Sequence, residues 1–160
     1  MTVGGCAGYQ IGQHSLYRPD LRTVHVPVFA SDSFRRNLGE RLTEAVVREI
    51  EENTPYKVVP LERADSILHG RIVSETKTSV AEDTFDNPRV LENEWFVQVQ
   101  WTKQNGEVLG TNASLPIPFS IRVNEASHLI PEAGQSIAST QQKLVEDLAR
   151  HIVAQMEVAW

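Results

Sequence analysis

One stretch of the chain, from Trp95 to Thr102, constrains the fold more than any other, because its side chains alternate between apolar and mostly polar types. The face predicted to point inward holds Trp95, Val97, Val99 and Trp101. A period of two is typical of a β-strand with one buried face. Core packing therefore explains both tryptophans better than an exposed aromatic binding site.

The segments on either side of this strand carry turn signals. Asn105-Gly106 predicts a type I′ hairpin turn, because both residue types tolerate positive φ. Residues 107–113 are then expected to return antiparallel. The acidic, turn-rich residues 81–93 predict a mobile loop before the strand.

Two segments have the period of an amphipathic helix. The first follows Ser31-Asp32-Ser33, whose side-chain oxygens predict an N-cap, and ends at Asn53-Thr54-Pro55. Its apolar stripe holds Phe34, Leu38, Leu42, Ala45, Val46 and Ile50. The second helix is predicted from about Ser136 to Val158.

Further strands are predicted before and after the first helix. Alternating valines favour a strand over 23–29, where Pro27 requires an edge position or a bulge because it has no N–H to donate. Strands are also expected over 56–61 and 67–78, and Gly70 indicates a bulge or a close packing contact in the latter. This order predicts an α+β fold, with two amphipathic helices packed on one face of a mostly antiparallel or mixed sheet of about four strands.

Composition and motifs argue against several function classes. A net charge of −6 opposes bulk nucleic-acid binding, and no apolar run approaches the roughly 18 residues that cross a bilayer. The five histidines show no i, i+4 pair, so no metal site is expected. Nucleophile elbows and phosphate loops are absent from the sequence, which predicts a protein that is not an enzyme and has no cofactor.

The single cysteine, Cys6, follows Val3-Gly4-Gly5. An aliphatic residue and two small ones before a cysteine have the local shape of a bacterial lipobox, which predicts lipid attachment at Cys6. The alternative is an unmodified thiol in the chain's first residues. We expect residues 1–22 to form a lipidated leader and tether, and residues 23–160 to form a single domain.

Several segments, taken in order, resemble the lipopolysaccharide-assembly lipoprotein family LptE. They are Gly-Cys-Ala-Gly-Tyr at 5–9, Ser-Leu-Tyr-Arg-Pro at 15–19, Thr-Val-His-Val-Pro-Val-Phe at 23–29, Phe-Arg-Arg at 34–36, Leu-Thr-Glu-Ala-Val-Val-Arg-Glu-Ile at 42–50 and Ala-Asp-Ser-Ile-Leu-His-Gly-Arg-Ile at 64–72. The resemblance covers the first half of the chain well. The second half agrees only in its strand and closing-helix pattern.

The resemblance implies an outer-membrane lipoprotein on the periplasmic face, acylated at Cys6. It also implies docking into a large LptD-like β-barrel and assistance in lipopolysaccharide assembly at the cell surface. Basic side chains of the sheet are expected to meet lipopolysaccharide or a related glycolipid, and Lys77, Arg89 and Lys103 are the candidates. Each could instead be an ordinary surface charge.

Two other functions fit the same sequence. A periplasmic accessory lipoprotein that activates a cell-wall synthase or supports a secretion pore would also place an Ala-Asp-x-x-Leu-x-Gly-like strand after a helix. A small-ligand carrier would use the cleft between sheet and helices.

Overall fold

The computed structural model describes residues 16–33, 37–82, 88–109, 121–129 and 136–157 of the chain. Its elements, in chain order, are β1 (Thr23–His25), β2 (Ala30–Ser31), α1 (Leu38–Asn53), β3 (Lys57–Val58), β4 (Ser66–Glu82), β5 (Pro88–Lys103), β6 (Val108–Leu109), β7 (Ile121–Leu129) and α2 (Ile137–Ala154). A 3₁₀ turn at Leu61–Arg63 precedes β4.

The strands form one mixed sheet in the order β3-β1-β4-β5-β6, with β2 also beside β4 and β7 also beside β5. The pairs that involve β1 to β3 are parallel, whereas β5 is antiparallel to each of its neighbours. The predicted α+β class is confirmed. The predicted count of about four strands was too low, in part because β2 and β7, which were not predicted, also join the sheet.

A long hairpin of β4 and β5 dominates the sheet. Its ladder runs from the pair Ser66 and Lys103 to the pair Glu82 and Pro88. The predicted loop over 81–93 was therefore wrong, since most of that segment is paired strand; residues 83–87 lie outside the described residues. Pairing along a long ladder outweighs the weak local preference of acidic and turn-forming residues for loops.

The chain around Pro27 carries the predicted bulge. His25 pairs with Ile67, and Ala30 pairs with Arg71. The five residue steps from His25 to Ala30 therefore lie opposite only four residue steps of β4. The extra residue ends the alternation of the valines, and Val28 is 66% exposed. Regular pairing stops on both sides of Pro27, which agrees with its missing N–H.

The turn after β5 differs from the prediction in its type. Gly106 has a φ of 87°, whereas Asn105 has no positive φ, so the turn is not type I′. The Gly106 N–H donates to the Lys103 carbonyl at 2.9 Å, and the Lys103 N–H donates to the Glu107 carbonyl at 2.7 Å. A three-residue connection with one glycine at positive φ is the arrangement of a G1 bulge. The predicted antiparallel return is confirmed by β6.

The core lies between one face of the sheet and both helices. The predicted inward residues of β5, from Trp95 to Trp101, are all buried. They meet the apolar stripes of α1 and α2, which confirms that both helices cover the same face. The buried hydrophobic residues of the two helices are Leu38, Leu42, Val46, Ile50, Leu144, Val145, Leu148, Ala149, Ile152 and Val153.

The helix starts were predicted with mixed success. The predicted start of α2 near Ser136 is confirmed, and Ser136 caps the helix, accepting from the Ser139 N–H at 3.1 Å in a capping box. In contrast, α1 begins at Leu38 after Asn37, whose φ is 65° and whose side chain makes no capping bond. The predicted cap at 31–33 was wrong, because Ser31 belongs to β2 and Asp32 binds an arginine of β4 instead.

Candidate functional site

The sheet face opposite the helices is left open by them. We call its part away from the hairpin tip the outer face and define it by the alternate side chains of β4 over 67–71 and of β5 over 96–102. Its members are Ile67, His69, Arg71, Phe96, Gln98, Gln100 and Thr102, all half-buried or exposed. Cross-strand partners share a face, and His69 pairs with Gln100 as Arg71 does with Gln98. Neutral amides, imidazole and hydroxyl groups therefore lie side by side there.

An ion pair fixes the one arginine on this face. Nε and Nη2 of Arg71 donate to the two carboxylate oxygens of Asp32, both at 2.8 Å. These hydrogen bonds hold the pKa of the Asp32 carboxyl below its usual range. The Asp32 N–H donates to the Ile72 carbonyl at 3.0 Å, which anchors the loop after β2 to β4. The arginine charge is consequently balanced within the chain.

Lys103 lies far from the other two predicted lipid contacts. Lys103 lies opposite Ser66 of β4, and Lys77 is itself a β4 residue eleven positions further along. At 3.3 Å per residue, this places Lys103 and Lys77 roughly 36 Å apart. Arg89 lies near the tip of the hairpin, at the start of β5. Cys6 lies outside the described residues. The roles of all four residues stay predictions.

Lys103 is held by two carboxylates. Its Nζ lies 3.1 Å from a Glu107 oxygen and 3.4 Å from an Asp20 oxygen. The hydrogen bond to Glu107 is the main reason that the pKa of Lys103 is raised. Asp20 also pairs with Arg18, at 3.5 Å. A ligand anion at Lys103 would have to compete with these partners.

A second candidate site is a cavity of about 450 Å³ near the start of the described chain. We call it the basic pocket. Its lining is Tyr17, Arg18, Pro19, Leu21, Arg22, Thr23, Pro55 and Lys57. This pocket was not predicted, because Arg18 belongs to a turn motif and Lys57 lies far away along the chain. Parallel pairing of β1 with β3 brings Lys57 beside Arg22.

Aromatic packing supports this pocket from below. The rings of Tyr17 and Tyr56 meet edge to face at 5.6 Å, and Tyr56 meets Trp101 in the same way at 5.7 Å. The Tyr56 hydroxyl accepts the Arg18 N–H at 3.0 Å, while the Tyr17 hydroxyl donates to the Asn53 carbonyl at 3.2 Å. Burial raises the pKa of both tyrosines, so both hydroxyls are neutral at physiological pH. Tyr17 and Leu21 are core residues, although they fall within the predicted leader.

Within the described ranges, no group of three or more His, Cys, Asp or Glu side chains is placed to hold a metal ion. Neither helix of those ranges is long and apolar enough to cross a bilayer.

Several solved structures share this fold. A hypothetical protein, CT253, from Chlamydia trachomatis matches with a TM-score of 0.61 at 11% identity, covering 84% of this chain and 94% of that one. An uncharacterized lipoprotein B from Nitrosomonas europaea gives 0.59 at 18% identity, with 92% and 89% covered. A minor lipoprotein from Acinetobacter baumannii gives 0.55 at 11% identity, with 85% and 92% covered. At these identities the similarity establishes the fold alone.

Sequence comparison identifies the family. No curated protein matches the chain. The family model of LptE, described as lipopolysaccharide-assembly, matches residues 21–156 and so spans both helices and every strand. This match agrees with the resemblance found in the first half of the chain and extends it through the second. The chain therefore belongs to the lipopolysaccharide-assembly family LptE.

Proposed function

We propose that this chain is an outer-membrane lipoprotein, acylated at Cys6, that docks into a β-barrel translocon and assists lipopolysaccharide assembly at the cell surface. Its family is one of non-catalytic cell-envelope lipoproteins that serve lipopolysaccharide assembly. The docking partner, the membrane and the surface that docks are the parts that we add.

The observation that carries the proposal is the composition of the outer face. Gln98, Gln100 and Thr102 are half-buried on a rigid strand whose other side is fixed in the core. Amides and hydroxyls can hydrogen-bond to a polar barrel wall directly or through water. The charge of Arg71 is balanced, because it is paired with Asp32. Arg71 can therefore enter a wet lumen without becoming an unpaired buried charge.

The shape of the hairpin supports the same proposal. From Pro88 to Lys103, β5 spans 16 residues, or roughly 50 Å at 3.3 Å per residue. One end of the molecule holds the start of the described chain and the Lys103 ion pairs, and the hairpin tip lies at the other. A body held at one end by lipid can extend its far end into a partner.

The predicted glycolipid contacts divide between these ends. Lys77 and Arg89 belong to the distal half of the hairpin, whereas Lys103 lies at the opposite end of β5. We propose Lys77 and Arg89 as the contacts that act together, since Lys103 already has two carboxylate partners. Basic side chains suit the phosphate groups of such lipids.

The carrier alternative receives no support from the packing. Leu42 and Val46 of α1, Leu148 of α2 and Trp95 of β5 are fully buried between helices and sheet. Their side chains occupy the space that a ligand would need. An accessory role on a synthase or secretion pore differs from our proposal in its partner, so partner identification separates the two.

Affinity purification from detergent-solubilised membranes tests the proposal. The wild-type chain is expected to fractionate with the outer membrane and to bring down one large β-barrel protein. Cys6→Ala is expected to leave the membrane fraction while keeping its fold. A wild-type chain that is soluble and partnerless, or that brings down a synthase, would reject the proposal.

Surface variants locate the docking face in the same assay. Gln98→Arg with Gln100→Arg adds bulk and charge to the outer face and is expected to abolish recovery of the barrel. Gln142→Arg with Gln155→Arg adds the same charge to exposed positions of α2 and just beyond its end, and serves as the control. Equal recovery by both pairs would place the docking surface elsewhere.

A further inference from the structure

We infer that the basic pocket binds the phosphate group of an anionic lipid headgroup and so seats the tethered end of the domain on the bilayer surface. This inference rests on the proposed membrane attachment through Cys6. It adds a second contact, made by the folded domain itself, to the lipid anchor.

The cations of the basic pocket are the first argument. Arg18, Arg22 and Lys57 all line one cavity of about 450 Å³, although the chain as a whole carries a net charge of −6. Arg22 and Lys57 are exposed and form no salt bridge in the described part of the chain. Cations grouped around a concave site raise the local potential well above that of the whole surface.

The carboxylates nearby are largely committed to other groups. Asp20 is shared between Arg18 and Lys103, at 3.5 and 3.4 Å. One oxygen of Asp65 accepts the N–H groups of Arg22 and Thr23, each at 3.0 Å. Glu157 interacts with the Tyr17 hydroxyl and, after burial, helps to raise its pKa. None of these carboxylates forms a salt bridge with Arg22 or Lys57 in the described part of the chain, although the Arg22 charge contributes to the lowered pKa of Asp65. The guanidinium and the ammonium can therefore turn towards an added anion.

Backbone hydrogen bonds hold the frame of the pocket. The Lys57 N–H donates to the Arg22 carbonyl at 2.9 Å, which fixes the two backbone segments that carry these cations. The Tyr56 hydroxyl accepts the Arg18 N–H and fixes that backbone as well. A preformed backbone frame loses little conformational entropy when the site binds an ion.

The position of the pocket points to the bilayer. Leu16 is ten residue steps from Cys6, so a lipid on Cys6 can lie at most roughly 35 Å from the start of the described chain. Tyr17 and Arg18 of the pocket follow directly. Tethering raises the effective concentration of headgroups at this site, so a weak contact is occupied.

Vesicle binding by the full chain carrying Cys6→Ala tests the inference, because no acyl chain can then hold the protein. The probes are vesicles of phosphatidylcholine alone and vesicles that also contain phosphatidylglycerol. We expect binding only to the second kind. Arg22→Gln with Lys57→Gln should weaken it about 25-fold, at roughly a factor of five for each basic side chain.

Matched controls separate the pocket from total charge and from folding. Arg48→Gln with Lys143→Gln removes the same charge from exposed helix positions and should leave binding almost unchanged. The charge-retaining pair Arg22→Lys with Lys57→Arg should restore most of the affinity. Equal weakening by the pocket and helix pairs would overturn the inference.

Competition with inorganic phosphate distinguishes a lipid headgroup from a free phosphate ion as the ligand of the basic pocket. Competition by phosphate for vesicle binding is expected if the headgroup enters the pocket. Phosphate binding without a preference for phosphatidylglycerol would assign the pocket to a free anion and overturn the headgroup assignment. If the chain prefers vesicles with phosphatidylglycerol but brings down no barrel in the affinity purification, the proposed function is rejected while the inference about the basic pocket stands.

Discussion

The ring of Phe29 lies against Gly70 so closely that a Cβ on residue 70 would overlap the ring carbons Cδ2 and Cε2. This confirms the close contact predicted for the glycine. On its other side Phe29 meets α1, where its N–H donates to Thr43 Oγ1 at 2.9 Å and Thr43 donates to the Gly39 carbonyl at 2.7 Å. Phe29 thus joins β4 to α1 directly after the bulge at Pro27.

Gly70→Ala should destabilise the fold through this contact. The Phe29 ring is 3% exposed and has no room to turn away. Overpacking of this kind costs about 1 to 3 kcal/mol, which urea unfolding monitored by circular dichroism would measure. His69→Ala, at an exposed neighbouring position, should change the free energy of unfolding by less than about 0.5 kcal/mol. Equal stability of the two variants would contradict the contact.

A double-mutant cycle attributes that loss to Phe29. In a Phe29→Ala background the space beside residue 70 is open, so Gly70→Ala should cost much less than in the wild type. Additive losses would show that Gly70 is required for another reason.

Asp65 should make the stability of the domain depend on pH. Its pKa is lowered, first by the N–H of Arg22 and then by Thr23, so the ionised carboxylate favours the folded state. This contribution is complete above the ordinary aspartate pKa of about 3.9 and is lost as pH falls through the lowered folded value. Asp65→Asn keeps the shape and should cost about 1 kcal/mol near neutrality, since the site is exposed.

The measurement is urea unfolding of both proteins across this range. The difference between wild type and Asp65→Asn should shrink towards zero in acid. A difference that stays constant down to the lowest pH would mean that the charge of Asp65 contributes nothing.

Gln141 is a buried residue of α2 whose Nε2 has no hydrogen-bond partner. An unpaired buried donor costs about 1 to 3 kcal/mol, and methionine fills a similar volume without it. Gln141→Met should therefore raise the free energy of unfolding by about 1 kcal/mol, seen as a higher urea midpoint. The control Gln155→Met, at an exposed position, should leave the midpoint unchanged. A destabilised Gln141→Met would show that the amide is satisfied.

Local periodicity predicted the parts of this fold that depend on local signals. Trp95 to Trp101 alternate strictly, and burial of that face follows from the period alone. The apolar stripes of α1 and α2 were found in the same way. Pro27 marked the bulge because its chemistry forbids regular pairing there.

The features that could not be predicted from the sequence depend on pairing between segments that are distant along the chain. Residues 81–93 look like a loop, but pairing with the opposite arm of the hairpin makes most of them strand. In β7 the alternation lasts only from Ile121 to Asn124, a signal that was too short to be recognised. The basic pocket needs Lys57 beside Arg22, a proximity that exists only once β3 pairs with β1. Sequence spacing carries no trace of such a contact.

Docking of the outer face into a β-barrel is the central claim of this account, and photo-crosslinking in the cell tests it most directly. A photoreactive residue at position 100 replaces Gln100 on the outer face, and one at position 155 replaces exposed Gln155, just after α2. We expect position 100 to yield one large product that contains a β-barrel protein and position 155 to yield none. A barrel product from position 155 alone, or from neither position, would contradict the account.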